Sequence, residues 1–127
     1  MSARTDPERG SVSIVAAGML LLVLVLTLGV ADAARVLASA GRARTAADAA
    51  ALAAAQQLAL PDGRAPSDLA GEYAARNDAA LVYCACEQGA VDATVRVLVG
   101  VGPLFLFSDD RSVGRSARAE VVLPADP

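Results

Sequence analysis

Residues 12–31 read VSIVAAGMLLLVLVLTLGVA, an uninterrupted stretch without a charged side chain that contains six leucines, five valines and one isoleucine. An α-helix of about 20 residues crosses the hydrocarbon core of a bilayer, and each leucine, valine or isoleucine favours insertion by roughly 0.3–0.6 kcal/mol. Backbone amides in lipid must be satisfied internally, so a helix is the structure that a single segment adopts there. The sequence therefore predicts a membrane-spanning helix at residues 11–31. The rest of the chain is too small to surround such a helix in a soluble core.

The composition argues against catalysis and against nucleic-acid binding. The chain has 127 residues, a net charge of −3, 3% aromatic residues and no histidine. A negative chain with few aromatics offers neither a basic face nor a stacking platform for bases. The absence of histidine removes the commonest general base and metal ligand. We therefore expect a non-enzymatic protein with one small domain and with no cofactor, metal site or nucleic-acid partner.

Residues 1–10, MSARTDPERG, are polar, and we expect them to form a peripheral leader. The sequence Ala31-Asp32-Ala33 imitates a signal-peptidase site. Cleavage after Ala33 would release a small soluble module, which is the alternative to a permanent membrane anchor. The apolar stretch is long for a removable signal, and this favours the anchor.

The helical pattern continues past the apolar stretch. Residues 32–60 contain no proline and are rich in alanine, the strongest helix former. Polar residues recur every three or four positions: Asp32, Arg35, Ser39, Arg42, Thr45 and Asp48. Apolar residues fill the remainder: Val36, Leu37, Ala40, Ala43, Ala47, Ala50 and Ala51. These patterns predict one helix over residues 12–60, about 70 Å long at 1.5 Å per residue. They also predict an ion pair between Asp32 and Arg35 and a bend near Gly41.

Residues 61–127 predict a small α+β domain after the turn Pro61-Asp62-Gly63. Ser67 is a candidate cap for a short helix over residues 68–77. Strands are predicted over residues 80–87, 91–101 and 115–123, the second from a strict alternation of valine or alanine with other residues. The predicted fold class is thus α+β, with a three-stranded antiparallel sheet that covers the apolar face of the long helix.

Small residues in the apolar helix are candidates for helix packing. Gly18 and Gly29 are separated by about three helical turns and share a face. With Ala17 they could let neighbouring membrane helices approach closely. Glycine is also frequent in membrane helices that have no such contact.

Cys84 and Cys86 are the only two cysteines. On an extended strand their Cα atoms would lie about 6.6 Å apart, near the upper limit for a disulfide. Three states of the pair remain open: free thiols, a strained local disulfide, and disulfides between subunits. Free thiols and disulfides between subunits are favoured. A closed zinc site is not expected, because too few ligands accompany the pair.

Two further features have plain interpretations. The carboxylates of Asp109 and Asp110 could bind a cation, but adjacent acids in a polar loop are typical of a solvated turn. Residues 104–107, Leu-Phe-Leu-Phe, could contact a partner or the membrane surface, but we expect them to pack beneath the small domain.

The Arg9-Gly10-Ser11 junction, the alanine-rich segment RARTAADAAALAAAQQLAL at residues 42–60 and the strand-rich tail together resemble a known family. The chain is similar to the TadE/TadG-like pseudopilins of Flp (tight adherence) pilus systems, and the shorter actinobacterial members are the nearest match. This resemblance implies a single-pass subunit of a pilus or type IV-like secretion machine. Its implied partners are the lipid bilayer, other pilin-like subunits and a Tad-type membrane platform on which a motor ATPase acts.

The resemblance also implies processing and orientation. A prepilin-type peptidase would cut between Gly10 and Ser11. Type IV pilins usually carry glutamate at the fifth position after the cut, where this chain has Val15. Arginines on both sides of the span leave the orientation unsettled by charge. The cysteines and the resemblance favour an inner-membrane protein with its N-terminus inside and its C-terminal domain outside.

Overall fold

A long helix, a short helix and a three-stranded sheet make up the chain in a computed structural model, which describes the backbone of residues 8–122 and the side chains of residues 11–122. The order along the chain is α1 (Glu8–Ala59), α2 (Pro66–Arg76), β1 (Ala80–Ala85), β2 (Asp92–Gly100) and β3 (Ser112–Glu120). The predicted α+β class is confirmed. Most of the predicted leader, and Leu123 at the predicted end of the last strand, lie outside the described residues.

Helix α1 joins the apolar stretch and the alanine-rich stretch into one element of 52 residues. At 1.5 Å per residue it is about 78 Å long, more than twice the thickness of a bilayer core. It runs through Gly41 without interruption, and the bend near this residue stays a prediction. Proline at position 61 follows its last turn, in which the Leu60 N–H donates to the Gln56 carbonyl at 2.9 Å.

Helix α2 begins earlier than predicted. Ala65 is its N-cap residue and Pro66 its first helical residue, and no side chain caps it. The expected cap, Ser67, lies inside the first turn, so that prediction was wrong. The physical reason is Pro66, whose fixed φ suits the first helical position, so that the helix begins before Ser67.

The sheet has the antiparallel order β1-β2-β3, with β2 in the centre. An irregularity in register lies between Leu81 and Tyr83 on β1. Strand β3 begins at Ser112, where it pairs with Gly100, and not at Arg115 as predicted. Backbone pairing with the end of β2 thus extends the strand into residues that look like a polar loop in the sequence.

The core lies between one face of the sheet and one face of the second half of α1. Four alternating residues of β2 are buried, namely Ala93, Val95, Val97 and Val99. Opposite them lie the buried alanines of α1, namely Ala43, Ala46, Ala47, Ala50, Ala51, Ala54 and Ala55. Alanine has almost no side-chain volume, so the sheet and α2 approach the helix backbone closely. The strand alternation is confirmed; Val91 lies outside the strand and is exposed.

The membrane-proximal part of this helical face differs from the prediction. Asp32 and Ser39, assigned to the polar stripe, are buried, whereas Val36 and Leu37, assigned to the apolar face, are exposed. The buried face here is thus set by what the sheet and its loops cover, and not by side-chain polarity alone.

Candidate functional site

The first half of α1 has an apolar surface that nothing in the described chain covers. Nearly all of its large side chains between residues 12 and 30 are exposed, for example Ile14 (74%) and Leu20 (72%), and Leu28 is half-buried. The most apolar window of the helix has a mean hydropathy of 2.8, and none of that window is buried. By length and composition the helix is able to cross a membrane. A core helix of a soluble protein would be mostly buried, and this part of α1 is not.

The three small residues singled out for helix packing have different surroundings. A Cβ added at Gly18 would meet no atom within 4 Å, so this position is open. A Cβ added at Gly29 would lie 3.7 Å from Cδ1 of Leu106. Ala17 is exposed. The head of the same chain thus occupies the space beside Gly29, and the open small-residue surface is reduced to the neighbourhood of Ala17 and Gly18.

The carboxylate of Asp32 joins α1 to the loop between β2 and β3. Its Oδ1 accepts a hydrogen bond from the Phe105 N–H at 2.8 Å, and its Oδ2 accepts one from the Leu106 N–H at 2.9 Å. Desolvation by the surrounding groups opposes the charged form, but the two N–H donors and the positive charge of Arg35 outweigh it and lower the pKa of Asp32. Asp32 is therefore an ionised acceptor at the base of the head.

Two arginines contact the aromatic rings of this loop, and one of them, Arg35 of α1, also binds its backbone. The Arg35 guanidinium donates to the Pro103 carbonyl and lies 4.5 Å from the centre of the Phe105 ring. The Arg111 guanidinium lies 4.6 Å from the centre of the Phe107 ring. Sequence reasoning paired Asp32 with Arg35 along the helix; in the structure both side chains bind the loop. Two sequence features could have indicated this contact. One is the charged pair Asp32 and Arg35 directly after the apolar stretch, and the other is the apolar segment 104–107 directly after Gly102-Pro103.

Residues 104–107 do not pack beneath the domain, so that prediction was wrong. Phe105, Leu106 and Phe107 are 57%, 44% and 48% exposed. The reason is that α1 holds the loop by its backbone, which leaves the side chains directed away from the core. A groove of about 410 Å³ lies between this loop and α1, and its walls include Val36, Leu37, Leu104 and Phe107.

Cys84 and Cys86 form a disulfide bond with a Cα–Cα distance of 5.5 Å. The preference for free or intermolecular thiols does not hold in this structure. The estimate of 6.6 Å assumed an extended strand, but β1 ends at Ala85, so Cys86 lies beyond it and the two Cα atoms come closer. Cys86 is buried among the core residues.

Polar clusters elsewhere in the described residues serve the fold. Asp109 and Asp110 are exposed in the loop before β3. Across residues 11–122, no group of three or more histidine, cysteine or carboxylate side chains converges as a metal site would require. Glu72 on α2 binds Arg64 at 2.7 Å and also Arg76, and these partners lower the pKa of Glu72. This network braces the turn between α1 and α2.

The predicted cleavage position lies in the first turns of α1. The backbone is helical through Gly10 and Ser11, and Ser11 is exposed. Val15, at the position where type IV pilins carry glutamate, is 59% exposed on the same helix. Cleavage between Gly10 and Ser11 stays a prediction.

A long apolar N-terminal helix whose second half carries a small α+β head defines a pilin-like architecture. Residues 10–57, which are nearly all of α1, match the sequence model of the Tad family, described as putative Flp pilus-assembly TadE/G-like proteins. The match bears out the resemblance to TadE/TadG-like proteins over the helix, and the narrower similarity to actinobacterial members stays a prediction. Comparisons with curated proteins and with solved structures gave no match.

Proposed function

We propose that the protein is a single-pass membrane subunit of a Flp/Tad-type pilus or secretion apparatus, and that it acts by helix-mediated assembly without catalysis. The observation that carries this proposal is the exposed apolar surface of α1 between residues 12 and 30. The match of residues 10–57, which include this surface, to a pilus-assembly family also supports it. In the proposed arrangement residues 11–31 span the inner membrane, residues 32–60 project from it, and residues 61–127 form the head.

We further propose that the N-terminus faces the cytoplasm and that the head lies outside the membrane. The Cys84–Cys86 disulfide supports this orientation, because disulfides persist in oxidising compartments outside the cytoplasm. The proposed partners are lipid, other pilin-like subunits and a Tad-type membrane platform. A prepilin-type peptidase that cuts between Gly10 and Ser11 is part of the same proposal.

Release of the head by signal peptidase after Ala33 is the alternative function. Such a cut would fall inside continuous helix, one residue after Asp32. It would also separate the head from the carboxylate that binds the N–H groups of Phe105 and Leu106. The geometry therefore favours the anchored form.

Alkaline carbonate extraction of membranes tests the proposal. We expect the full chain to stay in the membrane fraction, whereas a variant with Leu22→Arg and Val25→Arg is released. Two arginines near the bilayer centre cost about 5–7 kcal/mol together, which is comparable to the whole insertion energy of the apolar side chains. A variant with Leu22→Ile and Val25→Ile is the matched control and should stay bound.

Release of the intact natural chain by carbonate would contradict the proposal. The intact mass of the extracted chain separates the processing alternatives, because the mature N-terminus is at the start of the chain, at Ser11 or at Ala34. A mass that corresponds to Ala34 would favour the secreted module.

A further inference from the structure

The loop that carries Phe105, Leu106 and Phe107 lies at the level where the proposed membrane span ends. Leu106 packs beside Gly29, and Asp32 binds the backbone of Phe105 and Leu106. From position 12 to position 32, α1 rises about 30 Å, which equals the thickness of a bilayer core. If the apolar stretch fills the core, this loop coincides with the boundary between acyl chains and headgroups.

The exposed side chains of the loop have the composition of a membrane-interface segment. Two phenylalanines and a leucine point away from the core. They continue the apolar surface of α1 through the contact between Leu106 and Gly29. The Arg35 guanidinium lies over the Phe105 ring and the Arg111 guanidinium over the Phe107 ring, so each phenylalanine has a cationic neighbour. Arginine side chains at such positions reach toward the headgroup region while their apolar parts stay in contact with apolar groups.

Several backbone polar groups of the loop have hydrogen-bond partners within the chain, which suits a position with little water. Irregular backbone is costly near lipid unless its polar groups have partners. Here Asp32 accepts the N–H groups of Phe105 and Leu106, and Arg35 donates to the carbonyl of Pro103, which has no N–H of its own. Three backbone polar groups of the loop thus have partners on α1.

We propose that the Leu104-to-Phe107 loop inserts its side chains into the interfacial region of the outer leaflet and fixes the head against the membrane surface. The occupant of this apolar surface is the lipid bilayer itself. The inference rests on the proposed function, since it needs α1 to span the membrane. It adds a second membrane contact on the head, far from the span in sequence but adjacent to its outer end in space.

Single-tryptophan fluorescence tests this inference, because the natural chain has no tryptophan. The reporter variant Phe105→Trp is placed in vesicles of phosphatidylcholine and phosphatidylglycerol. We expect a blue-shifted emission that is roughly halved by lipids brominated near the headgroup and less affected by lipids brominated near the chain ends. That profile is characteristic of a side chain in the interface, about 5–10 Å below the surface.

Two further single-tryptophan variants serve as controls. Leu52→Trp is exposed on α1 about 30 Å beyond Asp32, and we expect no quenching by any brominated lipid. Val23→Trp lies in the middle of the proposed span, and we expect the strongest quenching from bromines near the chain ends. Absence of quenching at Val23→Trp would overturn the proposed function, whereas quenching there without quenching at Phe105→Trp would overturn this inference alone.

A second copy of the chain could also cover the loop. In that case Phe105→Trp would be shielded from aqueous acrylamide but insensitive to brominated lipid, and the shielding would decrease as the protein is diluted in the vesicles. That result would overturn the inference as well.

Discussion

Asp32 is the residue on which the junction between helix and head depends. It lies at the end of the apolar stretch, is 4% exposed, and accepts two backbone N–H groups from the loop between β2 and β3. A neutral side chain cannot replace both acceptor oxygens. At the scale of single residues, the ionised carboxylate therefore decides whether the loop stays on α1.

We expect Asp32→Asn to lower the melting temperature of the detergent-solubilised protein by on the order of 5 °C, because one loop N–H loses its acceptor in a small domain. Circular dichroism measures the transition. Asp110→Asn, at an exposed loop position, is the matched control and should leave the melting temperature unchanged. An equal effect of the two substitutions would contradict the role assigned to Asp32.

The difference in melting temperature between the natural chain and Asp32→Asn should depend on pH in a definite direction. The pKa of Asp32 is lowered in the folded state, so the carboxylate contributes stability above the ordinary aspartate pKa of about 3.9. This contribution is lost as the pH falls through that value toward the folded-state pKa. The gap in melting temperature between the natural chain and Asp32→Asn should thus be full at neutral pH and shrink below about pH 4. A gap that widens on acidification would refute the assignment.

At the scale of elements, the second half of α1 packs closely against the sheet. Its buried face is built from alanines, and the valines of β2 lie against them. Helix propensity alone would accept leucine at these positions nearly as well as alanine. Packing against the sheet explains why only a small side chain fits, since a larger one would force the two layers apart.

At this scale we expect Ala50→Leu to destabilise the head by about 1–3 kcal/mol, the usual cost of overpacking a filled core. Ala50 is fully buried, whereas Ala38 is exposed on the same helix, so Ala38→Leu is the matched control. Chemical denaturation in detergent measures both. If Ala50→Leu were as stable as Ala38→Leu, the close contact between helix and sheet would be disproved.

At the scale of the whole molecule, the described residues leave two neighbouring apolar surfaces exposed: the apolar half of α1, and the apolar loop at its outer end. Lipid covers most of the first surface in the proposed arrangement. Gly18 is the place on it where a neighbouring helix could approach, because a Cβ built there meets no atom within 4 Å beyond its chain neighbours and the backbone of its own helical turns.

We therefore expect Gly18→Ile to reduce self-association in membranes several-fold, as measured by chemical cross-linking or co-purification of two tagged copies. Leu20→Ile lies on the opposite side of the helix and also introduces a β-branched residue, so it controls for changes in helix propensity. Equal association of the two variants would show that the neighbourhood of Gly18 is not the contact.

The sequence by itself determined the elements: an apolar stretch of membrane-spanning length, an alanine-rich extension without proline, and a strand with strict alternation. Each is a local pattern with its own period, and the structure confirms all of them as helix or strand. Only the tertiary structure decided how the elements meet: Asp32 is buried, and Phe105 to Phe107 are exposed. The physical reason is that Asp32 and the N–H groups it binds are more than seventy positions apart in the sequence. No local period encodes a contact over that separation.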